Sequence, residues 1–396
     1  MKAIPLTPWR FIVGFGTVSL LADLVYEGAR SITGPLLASL GATGLVVGVV
    51  TGIGEASALL LRLVSGPLTD RTRAFWAWTI AGYALTVITV PVLGIAGTLW
   101  VASALVIAER VGKAVRSPAK DTLLSYASAV AGRGRGFGVH EAMDQIGAVT
   151  GPLVVAVMLA VTGGDYGPTL GVLALPGVAV VAMLVWLRGR VPDPSIYEPT
   201  LAPKERPTVS GVGDRLPREF WIYSIFTAMT MLGFATFGLI SFHLVVADVV
   251  SAPMVPVLYI AAMAADAVAA LALGFGYDRT GARVLVVLPV LSALVPLLAF
   301  SHNIAMVAAG VLIWGCAVGV QESTLRAVVA DLVAPQRRAT AYGLYAGAIG
   351  VGTAVGGALT GWLYEVSVPI LIATVIAVQV AAIGVLAGLL GRVRQR

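Results

Sequence analysis

Two stretches, GPLTDRTRAFW at 66–76 and GFGYDRTGARV at 274–284, carry the same acidic and basic turn and decide the fold. Each follows a long apolar segment, and further pairs occur in the same order. RSPAKD at 116–121 corresponds to RAVVAD at 326–331, and RGRGFG at 133–138 corresponds to QRRATAYG at 336–343. Because order and spacing agree along the whole chain, we predict two copies of one structural unit.

Apolar residues dominate around these turns. Of the 396 residues, 58% are hydrophobic and 12% are charged, which is far from the balance of a soluble domain. A helix needs about 20 apolar residues to cross a hydrocarbon core about 30 Å thick. The sequence therefore predicts an all-α, polytopic membrane protein with twelve transmembrane segments, at 10–38, 45–66, 75–96, 99–121, 136–162, 168–188, 218–247, 254–276, 283–300, 304–330, 338–364 and 368–390.

A polar stretch at 189–217, rich in proline and charge, divides these segments six and six. We predict an N-terminal six-helix bundle at 1–188, a linker at 189–217 and a C-terminal six-helix bundle at 218–396. The N-terminal sequence MKAIPLTPWRFIVGFG lacks a small-residue cleavage site after its apolar stretch, so we expect it to form a tail and the first span.

Lysine and arginine predict the orientation. The connections near 41–44, 94–98, 162–167, 248–253, 301–303 and 365–368 contain neither residue, and the basic residues between segments fall on the opposite side. This positive-inside pattern places both termini and the linker in the cytoplasm and the protein in the cytoplasmic (inner) membrane. It also accounts for the net charge of +6 without a nucleic-acid partner. Those basic residues are Lys2, Arg10, Arg71, Arg73, Lys120, Arg133, Arg135, Arg279, Arg283, Arg337, Arg338 and the C-terminal arginines.

Ionisable residues inside the predicted segments outline a polar chamber. A charge at mid-bilayer depth costs roughly 2.5–3.5 kcal/mol on insertion scales, so such residues face a wet cavity or a partner. The third, sixth, ninth and twelfth segments carry none between their end residues and are expected to face lipid. The alternative is that each charge belongs to a buried ion pair that only fixes helix register.

Spacing assigns candidate roles to these residues. Asp23, Glu27 and Arg30 share one helix face, and Arg110 and Lys113 share another. We expect a carboxylate beside a cation to respond to protonation. The candidates for proton coupling are Asp23, Glu27, Glu55 and Glu141, followed by Asp144, Asp266 and Glu322. The candidates for the substrate cavity are Tyr26, Arg30, Arg110, Lys113, His140, Trp314 and Tyr345. The aromatic members could equally fill the core.

Twelve spans split six and six, a middle linker and an acidic-basic turn after the second helix of each half together resemble the major facilitator superfamily. The family signature in this turn reads Gly-x-x-x-Asp-Arg-x-Gly-Arg-Arg, and the first copy here lacks the inner glycine. The resemblance implies alternating access and a cytoplasmic gate in which these carboxylates and guanidinium groups pair and separate. The gate residues it implies are Gly66, Asp70, Arg71, Arg73, Asp278, Arg279 and Arg283.

Two further motifs are similar to those of the drug:proton antiporter branch of that family. GAVTGP at 147–152 supplies the helix-packing residues Gly147, Gly151 and Pro152, although Val155 and Ala156 replace the usual trailing glycines. Arg110 matches an intramembrane arginine, but Lys113 and Ala114 stand where glutamine and glycine are typical. This likeness implies proton-coupled efflux of a small molecule by a monomer in membrane lipid, driven by a proton gradient without a cofactor.

Other functions stay open at this point. The basic residues of the fourth segment favour an exchanger of organic anions or organophosphates, and proton-coupled uptake is a further alternative. The sequence has no nucleophile elbow, phosphate loop or HExxH motif, and its single cysteine and three histidines predict no metal cluster, so we expect no enzyme. A membrane sensor would need a larger soluble output domain than the linker at 189–217 provides.

Overall fold

A computed structural model describes residues 6–197, 216–333 and 337–393, and this part of the chain is almost entirely helical. Helix occupies each of the twelve predicted segments, so the all-α multi-pass fold is confirmed. The linker residues 198–215 lie outside the described part. The α-helices are α1 Pro8–Ser31, α2 Thr33–Ser39, α3 Gly44–Leu60, α4 Arg62–Thr72, α5 Phe75–Gly94, α6 Leu99–Ala131, α7 Arg133–Val161, α8 Tyr166–Gly171, α9 Ala174–Arg190, α10 Arg218–Leu232, α11 Phe237–Val246, α12 Met254–Thr280, α13 Val287–Ala299, α14 Ile304–Leu332, α15 Arg338–Val366 and α16 Val368–Val393. Short 3₁₀ helices span Pro194–Tyr197 and Gly281–Val286.

Within the described residues, eleven of the predicted segments contain helices long and apolar enough to cross a membrane. The remaining one is α6, which is 33 residues long but carries Glu109, Arg110, Lys113 and Arg116 along its length. At 1.5 Å per residue, α6 extends about 50 Å and therefore exceeds the thickness of the hydrocarbon core. The sequence prediction ended this helix at residue 121, and the structure continues it to Ala131.

The described helices pack in two compact units. The first is formed by described residues within Met1–Ile32 and Leu60–Arg206, and the second by those within Thr33–Leu59 and Pro207–Arg396. This grouping by contact differs from the division by sequence in one stretch, because α2 and α3 pack with later helices. α2 packs against α11, where Gly34 lies against the backbone of Gly238.

In the first unit, α1 packs most extensively against α7. Small residues permit the close approach: Gly147 lies against the Leu20 carbonyl and Gly151 against the Leu24 carbonyl. Without a side chain at these positions the two backbones come into direct contact, which is how helices associate in membranes.

Glycine also permits close contact between α3 and α15 in the second unit. Gly48 lies against the backbone of Gly357, and the Tyr364 ring packs on Gly44. At the start of α3, the Glu365 carboxylate accepts a hydrogen bond from the Leu45 backbone N–H at 3.0 Å. A carboxylate beside the first turn of a helix, as Glu365 is to α3, also complements the positive end of the helix dipole.

The seventh predicted segment, 218–247, is broken rather than continuous, because residues 233–236 separate α10 from α11. The freed backbone groups are satisfied by side chains, as membrane interiors require. The Trp314 indole donates to the Ala235 carbonyl at 2.9 Å, and the Gln379 amide donates to the Thr230 carbonyl at 3.0 Å. Thr236 caps α11 by accepting from Leu239 N–H.

Replacement of Gly48 by alanine should lower the melting temperature of the detergent-purified protein. A methyl group there meets the Gly357 carbonyl, and overpacking of this kind costs about 1–3 kcal/mol. Gly384→Ala is the matched control, because a β-carbon at that helical position meets no atom within 4 Å. Alanine is also the better helix former, so the control should keep or raise the melting temperature. Equal melting temperatures for the two variants would show that the α3 and α15 backbones are not in contact.

Candidate functional site

Charged side chains gather inside the first unit, where α1, α6 and α7 meet. Asp23 and Glu27 of α1 are buried, as are Glu109, Arg110 and Arg116 of α6. Buried charge in a membrane protein is expensive, and it persists where partners compensate it or where function requires it. We call Asp23, Arg116, Lys120, His140 and Asp144, together with Ser19, Tyr26 and Tyr83, the polar cluster.

Arg116 lies at the centre of the polar cluster. Its guanidinium carbon is 4.4 Å from the centre of the Tyr83 ring and 5.2 Å from that of Tyr26, so two aromatic faces hold the cation. The residue is only 3% exposed. Within the described part of the chain, its Nε and Nη2 atoms are buried without a hydrogen-bond partner. Arg116 therefore retains unused donor capacity.

Other cations approach the same Tyr26 ring. The Lys113 ammonium is 4.8 Å from the ring centre and the Arg110 guanidinium is 6.0 Å from it. Arg110 also pairs with Glu109 at 3.0 Å. Three cations around one tyrosine create a strongly positive patch on α6.

Acidic groups from two other helices balance this charge. The Asp23 carboxylate interacts electrostatically with Arg116, with Lys113 and with the Asp144 carboxylate of α7. The Glu27 carboxylate pairs with Arg30 at 3.4 Å. Asp23 and Asp144 thus repel each other while they share the Arg116 cation, an arrangement in which gain or loss of one proton changes the attraction between helices.

A chain of polar contacts connects Asp144 to the interior of the unit. The His140 Nδ1 atom lies 3.5 Å from the Asp144 carboxylate, and the His140 Nε2 atom is 2.8 Å from the Ser19 hydroxyl. That hydroxyl is in turn 3.1 Å from the Tyr83 hydroxyl. Each of these groups donates or accepts a proton according to its state, so the chain joins α7, α1 and α5 by exchangeable hydrogens.

Lys120 completes the polar cluster. The sequence analysis counted it among the basic residues of the cytoplasmic side, at the end of the segment 99–121, and did not name it as a site residue. In the structure Lys120 is a residue of α6, its side chain is 16% exposed, and its ammonium lies 4.0 Å from Asp144. The long α6 continues past Pro118 and Lys120 without a break.

The other proton-coupling candidates are not members of the polar cluster. Glu141 is exposed on α7, three residues before Asp144. Glu55 belongs to α3 of the second unit and is half-buried, Asp266 is buried on α12, and Glu322 is exposed on α14. Each of these three has an electrostatic or hydrogen-bonding neighbour of its own.

Two aromatic candidates for the substrate cavity fill the core of the second unit. Trp314 is almost fully buried against the rings of Phe237 and Tyr259 while its indole bonds the α10–α11 break. Tyr345 is buried and stacks on Tyr223, with the ring centres 5.5 Å apart. The sequence left open whether these rings line a cavity or fill the core, and in the structure both rings are packed in the core.

The gate residues of the family signature lie at the ends of α4 and α12. Asp70, Arg71, Arg73, Arg279 and Arg283 are exposed and Gly66 is half-buried, whereas the side chain of Asp278 is outside the described residues. The two copies share a backbone feature: the helix ends in a residue with positive φ, Arg73 at 52° and Gly281 at 61°. Glycine adopts such angles without strain, so the first copy places an arginine where the signature has its inner glycine.

Four members of the polar cluster were not among the candidate site residues of the sequence analysis: Ser19, Tyr83, Arg116 and Lys120. Ser19 and Tyr83 are not ionised at neutral pH, and Tyr83 lies in the third segment, which was expected to face lipid. One face of α5 nevertheless packs inside the unit, because Thr79, Tyr83 and Thr86 are buried. These three polar residues recur at spacings of four and three, a signal that a search limited to charges overlooks.

Comparisons with known proteins agree with this architecture. The sequence profile of the Major Facilitator Superfamily matches residues 16–288 and 245–395. An uncharacterized protein of Mycobacterium tuberculosis is 66% identical over 383 residues, which are 96% of this chain and 92% of that protein. Among solved structures, the nucleoside transporter NupG is similar with a TM-score of 0.74 at 13% identity, covering 96% of this chain and 98% of that one. The peptide transporter POT in complex with sulfate gives a TM-score of 0.72 at 13% identity, covering 99% and 97%.

Removal of the Arg116 charge should destabilise the first unit, and removal of the Asp23 charge in the same chain should restore part of the loss. Arg116→Gln leaves Asp23 buried without its main cation, and breaking a buried pair from one side costs about 3–5 kcal/mol. Asp23→Asn removes the orphaned charge. The melting temperature of the double variant should therefore exceed that of Arg116→Gln alone.

Arg188→Gln, on the exposed end of α9, controls for loss of a positive charge and should change the melting temperature little. Additive effects of Arg116→Gln and Asp23→Asn would mean that the two side chains do not interact.

Proposed function

The chain belongs to the major facilitator superfamily, and from that premise we propose that it is a proton-coupled transporter that exports a small solute across the cytoplasmic membrane. Family membership makes it a multi-pass membrane transporter whose solute moves by secondary transport. Proton coupling, export and the choice of membrane are our proposal. The polar cluster carries it, because two carboxylates there compete for shared cations.

The proposed coupling works through the charge state of Asp23 and Asp144. When both are ionised, they attract Arg116 and Lys120 and hold α1 and α7 against α6, at the expense of their mutual repulsion. Protonation of one carboxylate relieves that repulsion and weakens the attraction to the cations. Since α1, α6 and α7 pack on one another, a change of one charge shifts the relative stability of two helix arrangements. Alternating access needs such a bias.

The chain of polar contacts from Asp144 through His140 to Ser19 and Tyr83 supports a route for that proton. The Oδ1 atom of Asp144 is buried without a hydrogen-bond partner among the described residues, so this oxygen has capacity to accept. His140 then relays a proton between its two ring nitrogens. In this proposal Glu27 and Arg30 form a second pair on α1, four and seven residues beyond Asp23.

The direction of transport rests on sequence features. GAVTGP at 147–152 is similar to the antiporter motif, and its two glycines lie against the α1 backbone next to Asp23. The antiporter-like motif therefore lies at the helix contact next to the residue that we propose to respond to protons, and this position supports export by antiport. The asymmetry of lysine and arginine supports cytoplasmic termini, and the exposed Asp70 and Arg71 support a gate on that side.

A second candidate function is exchange of organic anions. The observation that favours it is the positive patch of Arg110, Lys113 and Arg116 around Tyr26, together with the unused donors of Arg116. A carboxylate or phosphate on the substrate would use those donors. The two functions differ in whether protons move with the solute.

Proteoliposomes with a trapped pH-sensitive dye should separate these functions. Ethidium, uridine, dialanine and glycerol 3-phosphate are added outside one at a time as probes. In the proposed antiport, entry of a transported probe drives protons out, so the lumen becomes alkaline. Acidification would indicate symport. Glycerol 3-phosphate entry that requires a counter-anion inside and leaves luminal pH unchanged would establish anion exchange instead.

Asp23→Asn and Asp144→Asn should each reduce proton-driven transport of the responding probe at least tenfold, because the substituted side chains cannot take up the coupling proton. Counterflow of the same probe without a pH gradient should persist, and this distinguishes loss of coupling from loss of fold. Asp193→Asn, an exposed carboxylate after α9, is the control and should transport normally. Full proton-driven transport by both cluster variants would remove these residues from the mechanism.

A further inference from the structure

A groove lies on the outside of the first unit, between the first turns of α1 and the last turns of α9. Its volume is about 750 Å³, within the usual range of ligand sites. The lining includes Trp9, Arg10, Val13, Met183, Trp186 and Arg190. Gly14 lies at the floor of the groove and allows α9 to approach α1 closely. A β-carbon added at Gly14 would be 3.0 Å from a Leu187 methyl.

The side chains that line the groove change from charged to mostly uncharged along the helix axes. Because α1 begins where α9 ends, Arg10 and Arg190 lie at the same mouth. Thr17 and Met183 line the other end, and each is seven residues along its helix from the arginine, a distance of about 10 Å. Val13 lies between and is exposed. The mouth therefore offers two guanidinium groups, and the deeper part offers aliphatic surface.

Tryptophan marks the level of the mouth within the bilayer. Trp9 and Trp186 are both partly exposed, and the Arg190 guanidinium lies 5.8 Å from the Trp186 ring centre. Tryptophan concentrates at the membrane–water interface, where its ring lies at headgroup level. Arginine beside it keeps its charge in the headgroup layer while its stem lies on apolar surface.

We propose that this groove binds the headgroup and upper acyl chains of an anionic phospholipid. A phosphodiester at the mouth receives bidentate donation from Arg10 and Arg190. The glycerol and first methylenes then lie along Val13 and Met183. A soluble anion would use the arginines but leave the aliphatic length of the groove empty, and a zwitterionic lipid would bring its own cation to the mouth.

Lipid selectivity of the full, delipidated protein in a non-ionic detergent tests this site. Phosphatidylglycerol and phosphatidylcholine with identical acyl chains are added separately, and binding is followed by native mass spectrometry and by melting temperature. Phosphatidylglycerol should bind more tightly and raise the melting temperature more. In the double variant Arg10→Gln with Arg190→Gln, phosphatidylglycerol should bind on the order of thirtyfold more weakly.

Arg188→Gln is the matched control, because it removes an equal charge two residues away on the same helix outside the groove, and it should keep the selectivity. A melting temperature of the double variant in phosphatidylcholine equal to that of the parent protein shows that its fold is intact. Equal binding of the two lipids by the parent protein would overturn the proposal. So would an equal loss of selectivity in Arg188→Gln, or a stabilisation by glycerol 1-phosphate as large as that by the lipid.

Discussion

The burial of Arg116 is the constraint on which the first unit depends. A guanidinium cannot lose its proton at any ordinary pH, so its charge must be compensated within the helix bundle. The faces of Tyr26 and Tyr83 and the carboxylate of Asp23 supply that compensation, and they come from α1 and α5. These helices must therefore approach α6 at one level of the membrane.

Glycine makes this approach possible, so the small residues and the buried charges form one arrangement. A β-carbon on Gly82 would lie 2.6 Å from the Arg116 β-carbon, and one on Gly147 would lie 2.8 Å from the Asp23 β-carbon. A larger residue at either position would displace a charged residue of the polar cluster. The close packing of α5 on α6 and of α7 on α1 thus sets the positions of the groups proposed to exchange protons.

The order of the membrane helices could be predicted because apolar length is a local property, and the paired turns at 66–76 and 274–284 indicated the repeat. The site could be predicted only in part. Asp23, Arg110 and Lys113 stood out by charge, but Tyr83 and Ser19 act through neighbours on other helices. The break at 233–236 depends on Trp314 and Gln379, whose partners are more than 75 residues away along the chain.

The second unit satisfies part of its buried polar groups with neutral side chains, although it also buries Asp266 and His243; the coupling proposal rests on the shared cations of the first unit. Around the α10–α11 break and the Tyr223–Tyr345 stack of the second unit, neutral groups bond the backbone, and such contacts do not change with one proton. The first unit instead holds titratable groups that share cations. The chain passes between the units at 32–33 and 59–60, next to interruptions in the helix at Ile32 and Leu61. In the proposed mechanism, a charge change at Asp23 moves α1 while α2 stays packed on α11. The interruption at Ile32 permits this because it separates the two helices.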